Sequence, residues 1–497
     1  MKFRFFNLSG IVWLLVVIVM FALPGALYGQ EKTPSYEFGL SSVISEGNQA
    51  PFWLVSNRQG KYLPEKYASS MAFGIFAEPD TGMVFDYGYG LDFYGRIGGD
   101  NIDGMLSQAF GGNGTYWLHQ AYAQLLFFDF IQFRGGMWEE VVGSKEPRLS
   151  TGSTIWSGNA RPMPKVEISS NGYLPVPYTR GYVEIKGLLS HGWFEEGRFA
   201  SDVWLHHKNA YMRIGGSLPV NFYYGFNHYA QWGGSSPRQE EPYPSDFNAY
   251  LRIFFNMSGD PEEEGIPDGW ALNREGNSLG ARNIGIDINL DNISAGVYQQ
   301  DIFEDGSGMR RKNFPDGLWG AWIRFSEEKK LLQAAVYEYL QTTDQSGPVH
   351  ILFGPGGNDN YFNHSHYRSG WTYHKYTIGT PFITSPVFFS DSVSFSQDYL
   401  INTRVRAHHL GVEGFITERL KYRSLLTYSK NYGTHSYPFY EDKSPINQFS
   451  FLLEFIHPVN LFDMDMGVTL AGDIGEMYGD NYGMFITLRR SGIIGRN

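Results

Sequence analysis

Two stretches of the chain combine aromatic rings with planar polar side chains, a combination typical of sugar-binding sites. An aromatic face packs against the C–H face of a sugar ring, and arginine binds the carboxylate of an acidic sugar through two parallel hydrogen bonds. The residues of the first stretch that offer such groups are Trp156, Asn159, Arg161 and Lys165. Those of the second stretch are Asn360, Tyr361, Tyr367, Arg368 and Trp371. We predict that these residues bind a glycan.

Several histidines in the second half of the chain raise the question of a metal site. They are His364, His366, His374 and the pair His408–His409. On a strand, His364 and His366 would share one face. No cysteines or spaced set of carboxylates accompany them in the sequence, and protein metal sites need several convergent ligands. We therefore predict no metal and no other cofactor.

The carboxylate pair Glu139–Glu140 and the acidic run 262–264 raise a second alternative, glycoside hydrolysis. A retaining enzyme holds two carboxyl groups about 5 Å apart across the sugar, whereas adjacent residues on a strand point to opposite faces. The sequence also contains no phosphate-cradling glycine loop and no serine elbow before a helix. We assign no catalytic residue and predict that the protein is not an enzyme.

The first stretch lies within residues 149–180, a segment that differs from its surroundings. It contains Pro162, Pro164, Pro175 and Pro177. Because proline lacks a backbone donor and fixes φ, this segment is not expected to form a central strand. It is nevertheless too apolar for a free linker, with Ile155, Trp156 and Met163 close together. We interpret it as an ordered insert that the rest of the fold must hold.

Segments of alternating polarity on both sides of the insert predict that fold. The clearest is 85–96, in which every second residue is apolar; these residues are Phe85, Tyr87, Tyr89, Leu91 and Phe93. Such alternation fits a strand with one apolar and one polar side, and roughly 18 segments show it. A soluble sandwich or propeller would alternate similarly, but the aromatic residues near strand ends and the lack of a fixed repeat favour a membrane barrel.

A wide barrel gives the two aromatic stretches a second, structural interpretation. A barrel of about 16 to 18 strands has a lumen that side chains of the wall alone do not fill. The prolines and the apolar residues of the first stretch suit a plug that packs in this lumen. The second stretch has the character of a loop that contacts glycan or solvent. The sequence alone does not decide between a plug and a binding loop for either stretch.

Composition agrees with an outer-membrane barrel. Aromatic residues make up 17% of the chain, with 59 glycines and 33 tyrosines, as expected for aromatic girdles around an apolar lipid face. There is no cysteine, so no disulfide can form. The formal net charge of −12 makes nucleic acid an improbable partner.

The N-terminus predicts export. Lys2 and Arg4 precede the apolar run 11–23, and Gly29 is a small residue at the expected cleavage site, so residues 1–29 are interpreted as a signal peptide. The apolar run is shorter than the roughly 20 residues of a spanning helix, which disfavours a membrane anchor. Residues 30–497 then form one domain, the barrel.

One segment has helical rather than strand periodicity. In 245–256, Phe247, Tyr250, Leu251, Phe254 and Phe255 follow helical spacing. With Ser245 or Asp246 as a cap, the spacing predicts a short helix outside the bilayer. Residues 327–340 fit either a helix or a strand.

Five segments spread over the chain form a distinctive set of motifs. They are SNRQG at 56–60, LSTGSTIWSGNARPMPKVEIS at 149–169, TTDQSGP at 342–348, the run 358–382, and RVRAHHLGVEG at 404–414. Together these motifs resemble the Wzi family of capsule-assembly proteins in the outer membrane of Gram-negative bacteria. The resemblance implies an all-β, transmembrane, outer-membrane β-barrel of about 18 antiparallel strands with a small periplasmic helical part. It also implies a lectin-like protein that retains exported capsular polysaccharide.

The sequence therefore predicts a non-enzymatic outer-membrane barrel with an inserted loop or plug. Its expected partners are capsular or other surface polysaccharide, outer-membrane lipid and the barrel-insertion machinery. A plugged or passive porin-type channel is the alternative function, because the same strands would build either protein.

Overall fold

The structure is a computed structural model that describes a large part of the chain. The described residues are 32–101, 105, 114–143, 145–267, 274–304, 306–347, 357, 359–389, 399–442, 444–460 and 462–495. The predicted signal peptide, residues 1–29, lies outside them. No helix among the described residues has the length and apolar character needed to cross a membrane.

Strands dominate the described residues. In chain order they are β1 Ser35–Glu46, β2 Tyr67–Ala77, β3 Phe85–Gly99, β4 Thr115–Phe127, β5 Ile131–Met137, β6 Lys165–Ser170, β7 Leu174–Pro175, β8 Val183–Trp193, β9 Trp204–Ile214, β10 Val220–Trp232, β11 Asn277–Asn289, β12 Ile293–Phe303, β13 Gly317–Phe325, β14 Ala334–Gln341, β15 Thr372–Tyr373, β16 Tyr376–Thr377, β17 Val405–Phe415, β18 Lys421–Asn431, β19 Ile446–Val459, β20 Met464–Gly475 and β21 Asn481–Ile493. All but β15 and β16 belong to one sheet.

This sheet closes on itself. Its strands pair antiparallel with their neighbours, and β1 pairs with β21 from Ser35 opposite Ile493 to Glu46 opposite Tyr482. The two-residue β7 continues β6 along the same partner, β8, so β6 and β7 count as one strand of the barrel. The result is a closed antiparallel barrel of 18 strands. The predicted all-β barrel is confirmed.

Alternation sorts the side chains of each strand between two environments. On β3, Leu91 and Phe93 are exposed on the outer wall, while Asp92 and Tyr94 are buried in the lumen. An apolar face towards lipid and a polar face towards the lumen is the pattern of a transmembrane barrel. The outward-facing apolar residues form a belt around the wall, which we call the apolar belt.

The two ends of the barrel differ in the length of their connections. The end that carries both termini has short turns, such as 128–130 and 290–292. The opposite end carries long connections, including 47–66, 138–164, 233–276 and 342–404. In outer-membrane barrels the short turns face the periplasm and the long loops face outwards. We refer to these as the short-turn end and the long-loop end.

The described helices all lie in connections at the long-loop end. They are α1 Phe52–Val55, α2 Phe247–Phe255 and α3 Gly306–Met309, with a 3₁₀ helix at Pro386–Phe389. Helix α2 confirms the helix predicted within 245–256, and the Asp246 side chain caps it by accepting from Ala249 N at 2.8 Å. These helices therefore lie opposite the periplasmic side on which a small helical part was expected.

Two local predictions need correction. The segment 149–180 is not irregular throughout, because β6 begins at Lys165, directly after Pro164, and Pro175 lies in the short strand β7. Alternating polarity in 199–207 and again in 211–218 predicts two strands there, but the structure has one strand, β9, from Trp204 to Ile214. The ambiguous segment 327–340 contains strand β14.

Candidate functional site

The connection between β5 and β6, residues 138–164, crosses the lumen. Ser150 Oγ donates to Glu338 Oε1 at 2.7 Å and Thr151 N donates to Glu338 Oε2 at 2.6 Å. Thr154 N donates to Gln300 Oε1 at 3.0 Å. Glu338 and Gln300 belong to β14 and β12, which lie several strands away from β5 and β6 in the sheet. The insert is therefore anchored to the far wall.

The connection between β14 and β17, residues 342–404, binds to this insert from its other side. Trp371 Nε1 donates to Ile155 O at 2.7 Å, and Thr380 N donates to Thr154 O at 2.9 Å. Ser157 N donates to Ile378 O at 2.8 Å. Because buried backbone groups need partners, these bonds let two irregular segments pack together inside the barrel.

A third connection, 47–66, completes the filling of the lumen through helix α1. The ring of Phe52 stacks on Phe382, Phe388 and Tyr478 with centroid distances of 5.7, 6.0 and 5.3 Å. Trp53 Nε1 donates to Thr427 Oγ1 on the wall at 3.2 Å. We call the three segments 47–66, 138–164 and the described part of 342–404 the plug. The inserted loop or plug predicted from the sequence is present.

The four aromatic residues predicted to stack on sugar lie inside this plug. Trp371 and Tyr361 are 0% exposed, Tyr367 is 2% exposed and Trp156 is 6% exposed. Trp156 stacks on Tyr229 of the wall at a centroid distance of 5.4 Å. Protein atoms cover these rings, so the structure favours the packing interpretation for them over the predicted glycan stacking.

The hydroxyl groups of the two tyrosines serve the same packing. Tyr361 Oη accepts from Asn313 Nδ2 at 2.7 Å and donates to Asp316 Oδ2 at 3.2 Å. Tyr367 Oη donates to Gly233 O at 3.0 Å. Each ring thus ties the second connection to a neighbouring connection at the long-loop end.

Asn159 and Lys165, predicted to bind sugar, are also buried and fully engaged. Asn159 Nδ2 donates to Thr377 O and to Ser385 Oγ, both at 3.0 Å, and its Oδ1 accepts from Asn57 N at 3.1 Å. Lys165 Nζ donates to Glu140 Oε1 at 2.6 Å. A buried ammonium needs such a counter-charge, so Lys165, the first residue of β6, has a structural role beside the plug.

The three remaining predicted residues are partly buried. Arg161 Nε donates to Gly60 O at 3.3 Å, and its guanidinium lies 3.9 Å from the ring centroid of Trp117. Asn360 Oδ1 accepts from Thr403 Oγ1 at 3.1 Å. Arg368 lies over Phe199 of the β8–β9 connection at 5.9 Å. Of the nine predicted residues, Arg368 is the cation beside the β8–β9 connection at the long-loop end.

A pocket of about 400 Å³ opens at the long-loop end, between the β8–β9 connection and the second plug segment. Its lining residues are Glu195, Glu196, Gly197, Arg198, Ser369, Thr372, His374, Lys375, Pro386 and Tyr399. We call it the outer pocket. Of these residues, only His374 stands out in the sequence, and there as a candidate metal ligand; no sequence pattern marks the others.

Arg198 joins the two sides of the outer pocket. Its Nη1 donates to Thr372 O at 2.7 Å and to Glu195 Oε1 at 3.1 Å, and its Nη2 donates to Gly370 O at 2.8 Å. Glu195 Oε1 also accepts from His374 N at 2.9 Å. These bonds fix the pocket walls, so its groups are held in place before any ligand arrives.

The tip of the β15–β16 hairpin projects into this pocket. His374 and Lys375 form its two-residue turn with φ values of 48° and 66°, a conformation that normally favours glycine or asparagine. Both side chains are exposed. Partial desolvation by the pocket walls, helped by the charges of Arg161 and Arg198 and opposed by that of Glu195, lowers the pKa of His374, so its ring is neutral at pH 7. Strain of this kind is concentrated at binding sites in proteins.

A second cavity, of about 600 Å³, lies between the plug and the short-turn end. Plug residues Arg58, Lys61 and Arg148 line it together with the lumen faces of β1, β19 and β21. Burial, followed by the charge of Arg423, lowers the pKa of Arg58 to about 10. This inner cavity faces the periplasmic side, so the plug separates it from the outer pocket.

Among the described residues, Asp92, His119 and Glu139 have ligand atoms close enough to share a metal ion. The ammonium of Lys61 already lies 2.7 Å from Glu139 Oε1 and 3.9 Å from Asp92 Oδ2. Burial raises the pKa of Glu139, but the hydrogen bond with His119 and the charge of Lys61 outweigh it and lower the pKa to about 2. The pairing satisfies this cluster without a metal and leaves Glu139 unsuited to donate a proton.

The histidine candidates do not converge. His408 and His409 are adjacent on β17 and therefore point to opposite faces; His409 Nε2 donates to Leu149 O in the plug at 2.7 Å, whereas His408 bonds to Tyr337. His364 Nδ1 accepts from His366 N and Tyr367 N at 3.3 and 3.2 Å. His364 thus orders the loop rather than a metal.

Acid is expected to loosen the second plug segment through His364. Burial lowers its pKa from 6.5 to about 3, so the folded state binds fewer protons than the unfolded one between these values. The stability of the segment is then complete above pH 6.5 and falls as pH decreases towards 3, with a loss of about 3 kcal/mol already reached at pH 4.5. Hydrogen exchange at 359–371 measures this effect. A His364→Gln variant with the same pH dependence would contradict the assignment.

Comparison with protein families identifies a match over much of the chain. The sequence profile of the family described as capsule assembly protein Wzi matches residues 91–414. This range contains the insert, the second plug segment and the outer pocket. The connections nearest the two termini lie outside it. A search of curated proteins found no match.

Comparison with solved structures gives similar barrels. One is the Escherichia coli protein Wzi, described as an outer-membrane, carbohydrate-binding β-barrel involved in group 1 capsule assembly; it is 14% identical, with a TM-score of 0.54, and the match covers 96% of this chain and 88% of that chain. Another is OccK5 of Pseudomonas aeruginosa, at 8% identity and a TM-score of 0.46, covering 94% and 99%. The first similarity supports the 18-strand fold; the second is too weak to carry an argument.

Proposed function

Because the chain belongs to the capsule assembly protein Wzi family and is an outer-membrane β-barrel, we propose that it retains an exported surface polysaccharide at the cell surface. Retention is non-catalytic and lectin-like. The polymer is a capsular polysaccharide or another surface glycan, held from outside by the long-loop end. The carbohydrate-binding description of the Escherichia coli relative supports the same role.

The observation that carries this proposal is the anchored plug beneath an open outer pocket. The plug is anchored to the far wall through Glu338 and Gln300, so it supports a rigid surface at the long-loop end. The outer pocket lies on the side of the membrane where an exported glycan resides. A rigid, outward-facing pocket is what polymer retention requires.

Within the pocket, Lys375, His374 and Glu196 supply the glycan contacts, with Arg368 beside them. The ammonium and imidazole N–H groups donate to sugar oxygens, and the carboxylate accepts from sugar hydroxyl groups. The other eight residues predicted from the sequence act as supports that hold this surface in place. A repeating polymer engages many copies of the protein, so a weak single site suffices for retention.

Deletion of the gene tests the proposal in cells. We expect cell-bound polysaccharide to fall and the same polymer to appear in the medium, while total synthesis is unchanged. The measurement is polysaccharide in the washed-cell and supernatant fractions. Unchanged cell-bound polymer would refute the proposed retention.

A single substitution in the outer pocket gives a sharper test. In Lys375→Gly the ammonium is removed, while glycine suits the turn conformation at φ 66°. We expect glycan affinity to fall about tenfold, the loss expected for one charged hydrogen bond, without loss of thermal stability. The measurement is binding of purified polysaccharide to the detergent-solubilised barrel.

The matched control is Lys329→Gly at the short-turn end. Lys329 is exposed and has a φ of 58°, so the backbone effect is the same and only the location differs. Equal losses in the two variants would remove Lys375 from the binding site. Shortened polysaccharide chains after incubation would instead indicate a hydrolase.

A further inference from the structure

The outer wall carries a basic surface just above the apolar belt, formed by residues that do not line the outer pocket. On β11, Ile284, Ile286 and Ile288 face lipid and are each 40–41% exposed. Arg282 follows on the same face, two residues or roughly 7 Å further towards the long-loop end. Its Nε donates to Asp301 Oδ1 on β12 at 2.9 Å. The change from isoleucine to an ion pair marks the upper edge of the belt, where lipid headgroups begin.

The first part of the β12–β13 connection, up to Arg311, folds down onto this edge. Arg311 Nε donates to Asp301 Oδ2 at 3.0 Å, and Arg282 Nη1 donates to Met309 O at 2.9 Å. Arg310 and Lys312 flank Arg311 in the sequence and are exposed. Arg282 and Arg311 therefore share one carboxylate, Asp301, and the exposed Arg310 and Lys312 adjoin Arg311 at this height.

Aromatic side chains border the basic group. Phe314 lies 6.4 Å from Trp319 on the outward face of β13, measured between ring centroids. Helix α2 lies alongside, with Asn256 Nδ2 3.8 Å from Met309 Sδ. Its Phe247 and Phe255 are 71% and 66% exposed. Exposed aromatic residues next to basic ones are the composition of a membrane-interface surface.

We propose that this surface binds the phosphate groups of an anionic glycolipid in the outer leaflet, a molecule of the lipid A type. Arg310, Arg311 and Lys312 contact the phosphates, since guanidinium and ammonium groups form charge-assisted hydrogen bonds with phosphate oxygens. The acyl chains pack below on Ile284, Ile286 and Trp319. The binding is separate from glycan retention and fixes the height and orientation of the barrel in the leaflet.

Binding of purified lipid A to the full barrel in mild detergent, followed by native mass spectrometry, tests the proposal. We expect the diphosphorylated lipid to bind, and Arg310→Ala/Lys312→Ala to weaken its binding about tenfold or more. Both replaced side chains are exposed, so the barrel should still fold, which heat-modifiable migration in gels will check. The matched control is Lys329→Ala/Arg419→Ala, which removes two exposed basic groups at the short-turn end and should bind like the wild type.

Three results would overturn the proposal: equal binding of dephosphorylated lipid A, unchanged affinity in Arg310→Ala/Lys312→Ala, or displacement of bound lipid by inorganic phosphate alone. The last result would show a site for free phosphate instead of a lipid headgroup. Lipid binding that persists after the outer-pocket variant Lys375→Gly has lost glycan would support two independent sites.

Discussion

Replacing Trp371 by alanine is expected to turn a silent barrel into one that conducts ions. The Trp371 ring is fully buried where the two long plug segments meet, with centroid distances of 6.3 Å to Trp156 and 5.8 Å to Tyr229. Its Nε1 donates to Ile155 O. Truncation of a buried tryptophan costs about 3–5 kcal/mol, and here the loss falls on the plug rather than on the strands. Conductance in planar bilayers is the measurement.

The control for this experiment is Trp319→Ala. Trp319 is also a tryptophan of the barrel, but it lies on β13 facing outwards and is 38% exposed, so its loss leaves the plug intact. We expect this variant to remain as silent as the wild type. A folded Trp371→Ala barrel without openings would show that the other plug contacts suffice to close the lumen. A steadily open wild-type barrel would favour the porin-type alternative.

Replacing Glu338 by alanine should release the insert from the far wall. The Glu338 carboxylate accepts from Ser150 Oγ, Thr151 N and Tyr298 Oη. Its removal leaves three buried donors unpaired, each at a cost of about 1–3 kcal/mol. We expect residues 149–157 to become susceptible to protease and to exchange amide hydrogens rapidly, while the strands remain protected.

Glu184→Ala provides the comparison for Glu338→Ala. Glu184 lies on β8 and pairs with Arg213 of the neighbouring strand at 2.6 Å, so its removal disturbs the wall without touching the plug. Proteolysis of the insert should stay at the wild-type level in this variant. If Glu338→Ala also kept the insert protected, the anchor would have to lie elsewhere, for example at Gln300.

The barrel could be predicted from the sequence because lipid imposes a simple rule on every strand. On β3, each apolar residue is followed by a polar or small one, as lipid and lumen demand. Helix α2 could be predicted equally well, because Phe247, Tyr250 and Phe254 follow helical spacing. The prediction of strand boundaries was wrong at β9, where the alternation of polarity is weak. Outward-facing residues near the long-loop end of β9, such as His206, are covered by α2 and do not face lipid.

The candidate site was far less predictable, for a physical reason. Tryptophan and tyrosine beside amides are suited to sugar binding and equally to packing an irregular segment, and only burial separates the two. For Trp371 that burial comes from Ile155 and Tyr229, which are distant in sequence. The outer pocket gave no local signal either, because its turn has His374 and Lys375 where glycine or asparagine would have marked it. The boundaries 1–29 for the signal peptide and 30–497 for the barrel domain remain predictions.

The topology of the plug has a mechanical consequence. Each of its three segments starts and finishes in a wall strand, unlike a stopper that hangs from one chain terminus. A pulling force applied to any of them from the periplasm would therefore act on the hydrogen-bonded wall strands at both attachment points. The plug therefore cannot leave the lumen as a unit while the barrel stays folded. Any opening of the lumen has to come from a rearrangement of the plug segments inside the barrel.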